Sequence, residues 1–323
     1  MERERWKTVE LSLLLLEQIG AMVIMVLAGL VLAKAGLLDD QGSQVLARVA
    51  IYVLTPCALV DGFQTPLEQD KLEGLLASLL AALVIFGLLL GGSWLLRRGK
   101  HPLTPGERAS IVYSNSGNLI IPIIMHTLGG EYVIYSCAYL LVQTLSTWTH
   151  GQLLLGGSQG LSVRRVATNP SVCGIFLGLV LFLLGVTLPG PVGSAASSLG
   201  AALGPVSMLV IGVMLYQTDL RRAFSNPAIY RTIALRLLVF PLLAMGVLLA
   251  IGCLWRPLGD VGEILTVTLL CASGPSATTP TQMAQLYHHP ESGYMSSINA
   301  VTTVLCVVTM PAMIFLYQFL RGA

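Results

Sequence analysis

Two short stretches hold the residues best placed to do chemistry. One is Ser114-Asn115-Ser116-Gly117-Asn118-Leu119-Ile120-Ile121-Pro122, and the other is Ser273-Gly274-Pro275-Ser276-Ala277-Thr278-Thr279-Pro280. Neither carries a charged residue. Their hydroxyls and carboxamides are neutral hydrogen-bond donors. Each has a Ser-Gly pair, with Pro122 five residues after Gly117 and Pro280 six after Gly274. Proline removes a backbone donor and blocks the preceding helical turn, and glycine tolerates the unwound backbone. A helix that restarts after such a break presents free N–H groups and the positive end of its dipole. Such an arrangement binds an anion such as a carboxylate, and a carrier must also release it. Catalysis is not expected. Ser116 and His150 could form a nucleophile and base, but no G-x-S-x-G surrounds Ser116 and the chain has no H-E-x-x-H. There is also no G-x4-G-K-[ST], so ATP drive is not expected, and no cofactor is implied.

The elements that position these stretches follow from composition. Of 323 residues, 54% are hydrophobic and only 11% charged, with a mean hydropathy of +0.77. Soluble domains carry about a quarter charged residues, so most of this surface faces lipid. A bilayer core takes about 20 apolar residues per helix. Ten candidate spans result: 11–33, 48–64, 75–96, 108–127, 131–156, 170–188, 198–216, 229–252, 263–286 and 292–319. The run from Leu11 to Leu38 is too long for a signal peptide. Eleven of the 18 Lys and Arg residues fall on one side, among them Lys34, Arg48, Arg97, Arg98, Lys100 and Arg108; six fall on the other, and Arg236 lies inside a span. The richer side is expected to be cytoplasmic, which puts both termini outside a cell (inner or plasma) membrane. The net charge of +2 is spread over short clusters and does not point to nucleic acid. Six cysteines without a C-x-x-C pair argue for apolar packing rather than metal or disulfides.

The halves of the chain echo each other. Gly29-Leu30-Val31-Leu32 precedes Gly36, and Gly178-Leu179-Val180-Leu181 precedes Gly185, an offset of 149; Pro56 and Pro205 share that offset. This predicts two five-helix repeats, 1–157 and 170–320. Five is odd, so the second must enter the membrane inverted, an arrangement that places substrate between broken helices near the midplane. The expected fold is an all-α membrane protein with the fourth and ninth helices broken and crossing.

The two proline stretches also carry a family resemblance. Asn115 to Pro122 resembles the Asn-Thr-Gly…Pro motif of the auxin efflux carrier family, which includes the plant PIN carriers and bacterial permeases for malate or malonate. Pro275 to Pro280, continuing to Ala284-Gln285-Leu286-Tyr287, resembles its Pro-x4-Pro…Ala-x-x-Tyr stretch, and Arg236 to Pro241 its Arg-x4-Pro. The likeness runs over essentially the whole chain. It implies a fold like the bile acid symporters and sodium/proton antiporters, with carboxylate substrates. One departure is Ile120, where the family often has Gly, which narrows the crossing.

The expected function is a secondary transporter moving a small organic anion by alternating access. Its substrate-binding residues would be Asn115, Ser116, Gly117, Asn118, Pro122, Ser273, Gly274, Pro275, Ser276, Thr278, Thr279 and Pro280. Asp61, Gln143 and Asn299 are candidates for coupling or for lining the path, because ionisable and polar groups inside a span default to function. Hydration at the boundary competes for Asp61, and helix–helix bonding competes for the other two. Pro56, Pro205 and Arg236 are read as structural. A coupling proton or sodium ion and a homodimer are compatible with this reading. A carboxylate sensor is the alternative, as is a cation/proton antiporter, although no paired acids flank Pro122 or Pro280.

Overall fold

Long apolar runs wind into long helices, since backbone groups in lipid must be satisfied within the segment, and four of them continue past an internal proline, at Pro56, Pro205, Pro241 and Pro311. The computed structural model describes residues 2–98, 101–156, 163–254 and 261–322, with side chains in the first helix from Glu17 onward. The helices are α1 (Glu2–Lys34), α2 (Asp40–Gly62), α3 (Gln69–Leu96), α4 (Pro105–Val112), α5 (Ile121–Thr127) and α6 (Val133–Ser146). Then come α7 (Pro170–Leu183), α8 (Gly190–Gln217), α9 (Pro227–Leu254), α10 (Val261–Ser273), α11 (Thr278–Leu286) and α12 (Ser292–Gly322). A wide turn, Ser116–Ile120, leads into α5, and another, Thr147–Gly151, extends α6 into Gln152–Gly156. No β-strand occurs among the described residues.

Six helices are long and apolar enough to cross a bilayer: α1 from Glu17, α2, α3, α8, α9 and α12 to Arg321. The apolar helices α7 and α10 are shorter. Several helices start before their apolar cores. The first begins at Glu2 rather than residue 11, the second at Asp40 rather than 48, and α8 at Gly190 rather than 198. Hydropathy marks the apolar middle of a helix and does not register a cap. At α2, Gly42 N donates to Asp39 Oδ1 at 2.7 Å.

Small residues bring α1, α2, α7 and α8 together. Helices α1 and α8 cross backbone to backbone at Gly29 and Gly212, and α2 meets α7 at Gly174 and α8 at Gly200, where Pro56 and Ala58 pack. Phe63 and Phe182 close that contact with ring centroids 6.2 Å apart. A second set, with α3, α6, α9, α10 and α12 in mutual contact, surrounds the broken segments. Helices α1 and α7 end in the same turn. Gly36 (φ 72°) and Gly185 (φ 65°) adopt the left-handed conformation. Leu37 N donates to Leu32 O at 3.0 Å, and Val186 N to Leu181 O at 2.9 Å. Each pair of equivalent positions is again 149 apart.

Close crossing in lipid depends on the missing side chains. A Cβ at Gly212 would collide with the Val26 carbonyl, whereas one at Gly87 meets nothing within 4 Å. Gly212→Ala is expected to destabilise the protein by about 1–3 kcal/mol, read as a lowered thermal unfolding midpoint in detergent. Gly87→Ala is expected to leave the midpoint unchanged or raise it, because alanine favours helix.

Candidate functional site: the crossing of two broken helices

The second segment breaks at a proline, the first at an extended residue well ahead of Pro122. Pro275 cannot extend α10 beyond Ser273, and the residue before a proline avoids helical geometry. Pro280 has no N–H for the Ser276 carbonyl four residues back. That carbonyl instead accepts from Asn299 Nδ2 on α12, at 2.8 Å. In the first segment α4 ends at Val112, Tyr113 is extended (φ −99°, ψ 126°), and the chain regains helix at Ser116. There the Ser114 carbonyl accepts from Gln143 Nε2 on α6, also at 2.8 Å. Both breaks are held the same way, by a carboxamide from the helix that follows.

The two breaks pair with each other. Asn115 N donates to Pro275 O, and Ala277 N donates to Tyr113 O, both at 2.9 Å, forming one antiparallel bridge centred on Ser114 and Ser276. Gln143 Oε1 accepts from Ser114 N at 3.1 Å and from Ser114 Oγ at 2.8 Å, and its Nε2 lies 3.0 Å from Ser116 Oγ. Ser276 N donates to Thr302 Oγ1 at 3.2 Å.

Four helix ends converge here, and they are treated differently. The C-terminal ends of α4 and α10 are capped by Arg236, which is completely buried and does not snorkel. Its Nη1 donates to Ile111 O at 2.9 Å, its Nε to Gly274 O at 2.9 Å, and its Nη2 to Ala272 O at 3.0 Å and Gly274 O at 2.6 Å. A cation at two helix C-termini offsets their negative dipole ends while satisfying their carbonyls. The N-terminal starts at Ser116 and Thr278 receive no side-chain cap.

Accounting for donors divides the sequence-selected residues. Ser116 is buried and held by Gln143. Asn115 is buried and contributes its backbone N–H to the bridge. Ser273 Oγ, Ser276 Oγ and Asn299 Oδ1 are buried without a hydrogen-bond partner, an arrangement that calls for a ligand or water. Gly117, Asn118 and Thr278 are half-buried and Thr279 is exposed. Pro122 packs on Gly204 of α8, next to Pro205. Ile120 is buried with its Cδ1 toward Gly274, filling the space that a glycine would leave. Asp61 lies elsewhere, at the end of α2. Tyr113, Ser114 and Thr302 were not selected from sequence. Ser114 stands inside the first motif, but the bridging and capping roles of all three arise only from pairing. Beside the crossing, a narrow apolar crevice runs between Met22, Val26 and Met208 on one side and Leu119, Thr303 and Met310 on the other.

The profile of the membrane transport protein family matches residues 15–163 and 157–314, nearly the whole chain. The chain belongs to this family. It is the auxin-efflux-carrier-like group that the two proline motifs resemble. Among relatives of this membrane transport protein, one from Methanothermobacter thermautotrophicus is 28% identical over 307 residues, covering 91% of this chain and 96% of its own; it is named "Uncharacterized transporter". Another, from Rhizobium meliloti, is 23% identical over 266 residues, covering 79% of this chain and 80% of its own, and is named "Putative malonate transporter". The chain is thus a multi-pass membrane protein of transmembrane transport.

Arg236→Met is expected to leave three buried carbonyls unpaired where water is scarce, costing about 3 kcal/mol or more. The variant should elute as aggregate or unfold well below the parent in size-exclusion and thermal-melt measurements. Asn118→Ala, which removes a side chain from the open face, should match the parent in both.

Proposed function

We propose that this membrane transport protein is a secondary transporter of a small organic anion, a mono- or dicarboxylate, and that the carboxylate lies between the two breaks. One observation carries the reading: two helix starts meet at the crossing without a cap, while both helix ends beside them are neutralised by Arg236. The remaining field at the open face is therefore positive, yet no fixed cation stands there. The unpartnered hydroxyls of Ser273 and Ser276, with Asn118 and Thr278 at the edge, add neutral donors. Such a site holds an anion and can let it go. The relative named for malonate supports a carboxylate.

The architecture behind this reading is ten crossings in two inverted five-helix repeats. The six long helices, α6, α7 and the two broken segments α4–α5 and α10–α11 make up the ten. The matched turns at Gly36 and Gly185 and the parallel roles of Gln143 and Asn299 support the repeat. Alternating access would move the crossing set against α1, α2, α7 and α8. The crevice between Met22 and Met208 on one side and Leu119 and Met310 on the other would lie along the sliding surface. Gradients of ions or substrate, a proton or sodium ion among them, would supply the drive, with Asp61 as the candidate coupling group.

Removing one donor to a charged carboxylate costs about 1–3 kcal/mol, or roughly five- to a hundredfold in affinity. Asn118→Ala and Thr278→Val are each expected to weaken malonate binding to this degree and to slow counterflow in proteoliposomes, with melting unchanged. Parental affinity in both would move the site away from the crossing. Parental binding without counterflow would indicate a sensor. The proposed orientation has its own test. Gln44→Cys, exposed near the start of α2, should react with an impermeant maleimide only from the cytoplasm, in a background without the exposed Cys173 and Cys253. Labelling from outside would reverse the topology.

A further inference from the structure

Among the described residues, one cluster of bases takes part in no ion pair. Arg108, in α4, is only 9% exposed. Its Nε is buried without a hydrogen-bond partner, and its Nη2 lies 3.4 Å from His150 Nε2. No ion pair among the described residues includes it. The adjacent Glu107 does not help. Its carboxylate is committed to the other side of α4, accepting from Arg231 Nη2 at 2.8 Å, Thr232 Oγ1 at 3.1 Å, Tyr294 OH at 3.3 Å and Thr104 N at 2.9 Å. Arg97, at the end of α3, adds repulsion. Arg108 also stands in the first turns of α4, where the dipole disfavours a cation. Burying an unpaired charge is costly unless something neutralises it.

The geometry shows how an anion would be received and passed on. Tyr113 OH donates to Ser146 O at 2.8 Å and lies 3.0 Å from His150 Nδ1. With the tyrosine proton used on Ser146, Nδ1 is the protonated nitrogen of the neutral imidazole. His150 Nε2 then faces Arg108 as an acceptor. An oxyanion on the guanidinium would displace that weak contact and take the Nε–H. The same Tyr113 accepts from Ala277 N through its carbonyl, so one residue links this cluster to the crossing. His150 is half-buried, which leaves one side open.

We infer that Arg108, with His150, forms a second oxyanion site, a waiting position for the transported carboxylate on the Arg-rich side of the crossing. The inference rests on the proposed carrier reading for its choice of ligand. A charged group on the Arg-rich side attracts an anion, which the crossing would then move.

Titration calorimetry on the full-length protein in nanodiscs, with malonate, acetate and inorganic phosphate as probes, tests this, together with melting in the absence of any anion. Arg108→Gln should weaken malonate binding roughly tenfold or more. It should not lower the anion-free midpoint, because it removes an uncompensated cation. Arg108→Lys should keep part of the affinity. Unchanged malonate binding in Arg108→Gln overturns the inference. So does an anion-free midpoint that falls in Arg108→Gln and is restored in Arg108→Lys with affinity unaffected, which would make Arg108 a packing residue. Phosphate binding tighter than malonate, or no binding of any probe by the parent, overturns the carboxylate assignment. Asn118→Ala separates the two readings. Binding lost there but kept in Arg108→Gln leaves the crossing standing and removes this site, and the opposite pattern does the reverse.

Discussion

The contact on which the rest depends is Arg236 against the carbonyls of Ile111, Ala272 and Gly274. Two helices cannot stop in the middle of a membrane protein unless their last carbonyls find donors, because lipid offers none. A guanidinium with five donors serves both ends at once. With those ends fixed, the chain can leave helical geometry at Tyr113 and Pro275, pair across the gap at Ser114 and Ser276, and start again at Ser116 and Thr278. The asymmetry that follows is electrostatic. Negative dipole ends are neutralised and positive ones receive no side-chain cap, which is the basis of the proposed anion site.

Packing elsewhere supports that crossing. Glycines at 29 and 212 press α1 onto α8, and Gly204 receives Pro122, so the broken first segment rests on α8. On the opposite side Gln143 and Asn299 hold the two breaks from α6 and α12. Ile120 occupies the space beside Gly274.

Much of this was legible in sequence because its causes are local. Gly274 and Pro275 mark the second break, hydropathy marks the long helices, and the 149-residue offset marks equivalent turns, while the first break falls at Tyr113 to Asn115, ahead of Gly117 and Pro122. Helix starts were less legible. Asp39 caps α2 nine residues before the apolar run at 48, and no hydropathy window registers a cap. The partners of Arg236 were hidden for a different reason: they are backbone carbonyls, which every residue has. Gln143 and Asn299 stood out as polar residues in apolar helices, but only the fold shows that their amides are spent on Ser114 and Ser276. Arg108 reads as one more base in a cytoplasmic cluster. That it has no ion-pair partner among the described residues emerges once Glu107 is seen to face Arg231.

The most direct test of the central claim is to locate a bound anion. A crystal or crystalline-lipid preparation soaked with bromomalonate would give an anomalous bromine peak. The account predicts a peak at the crossing, with the carboxylate within hydrogen-bond distance of the Thr278 backbone N–H or the Asn118 side chain. A well-occupied ligand elsewhere, with the space between Ser116 and Thr278 holding only water, would contradict it.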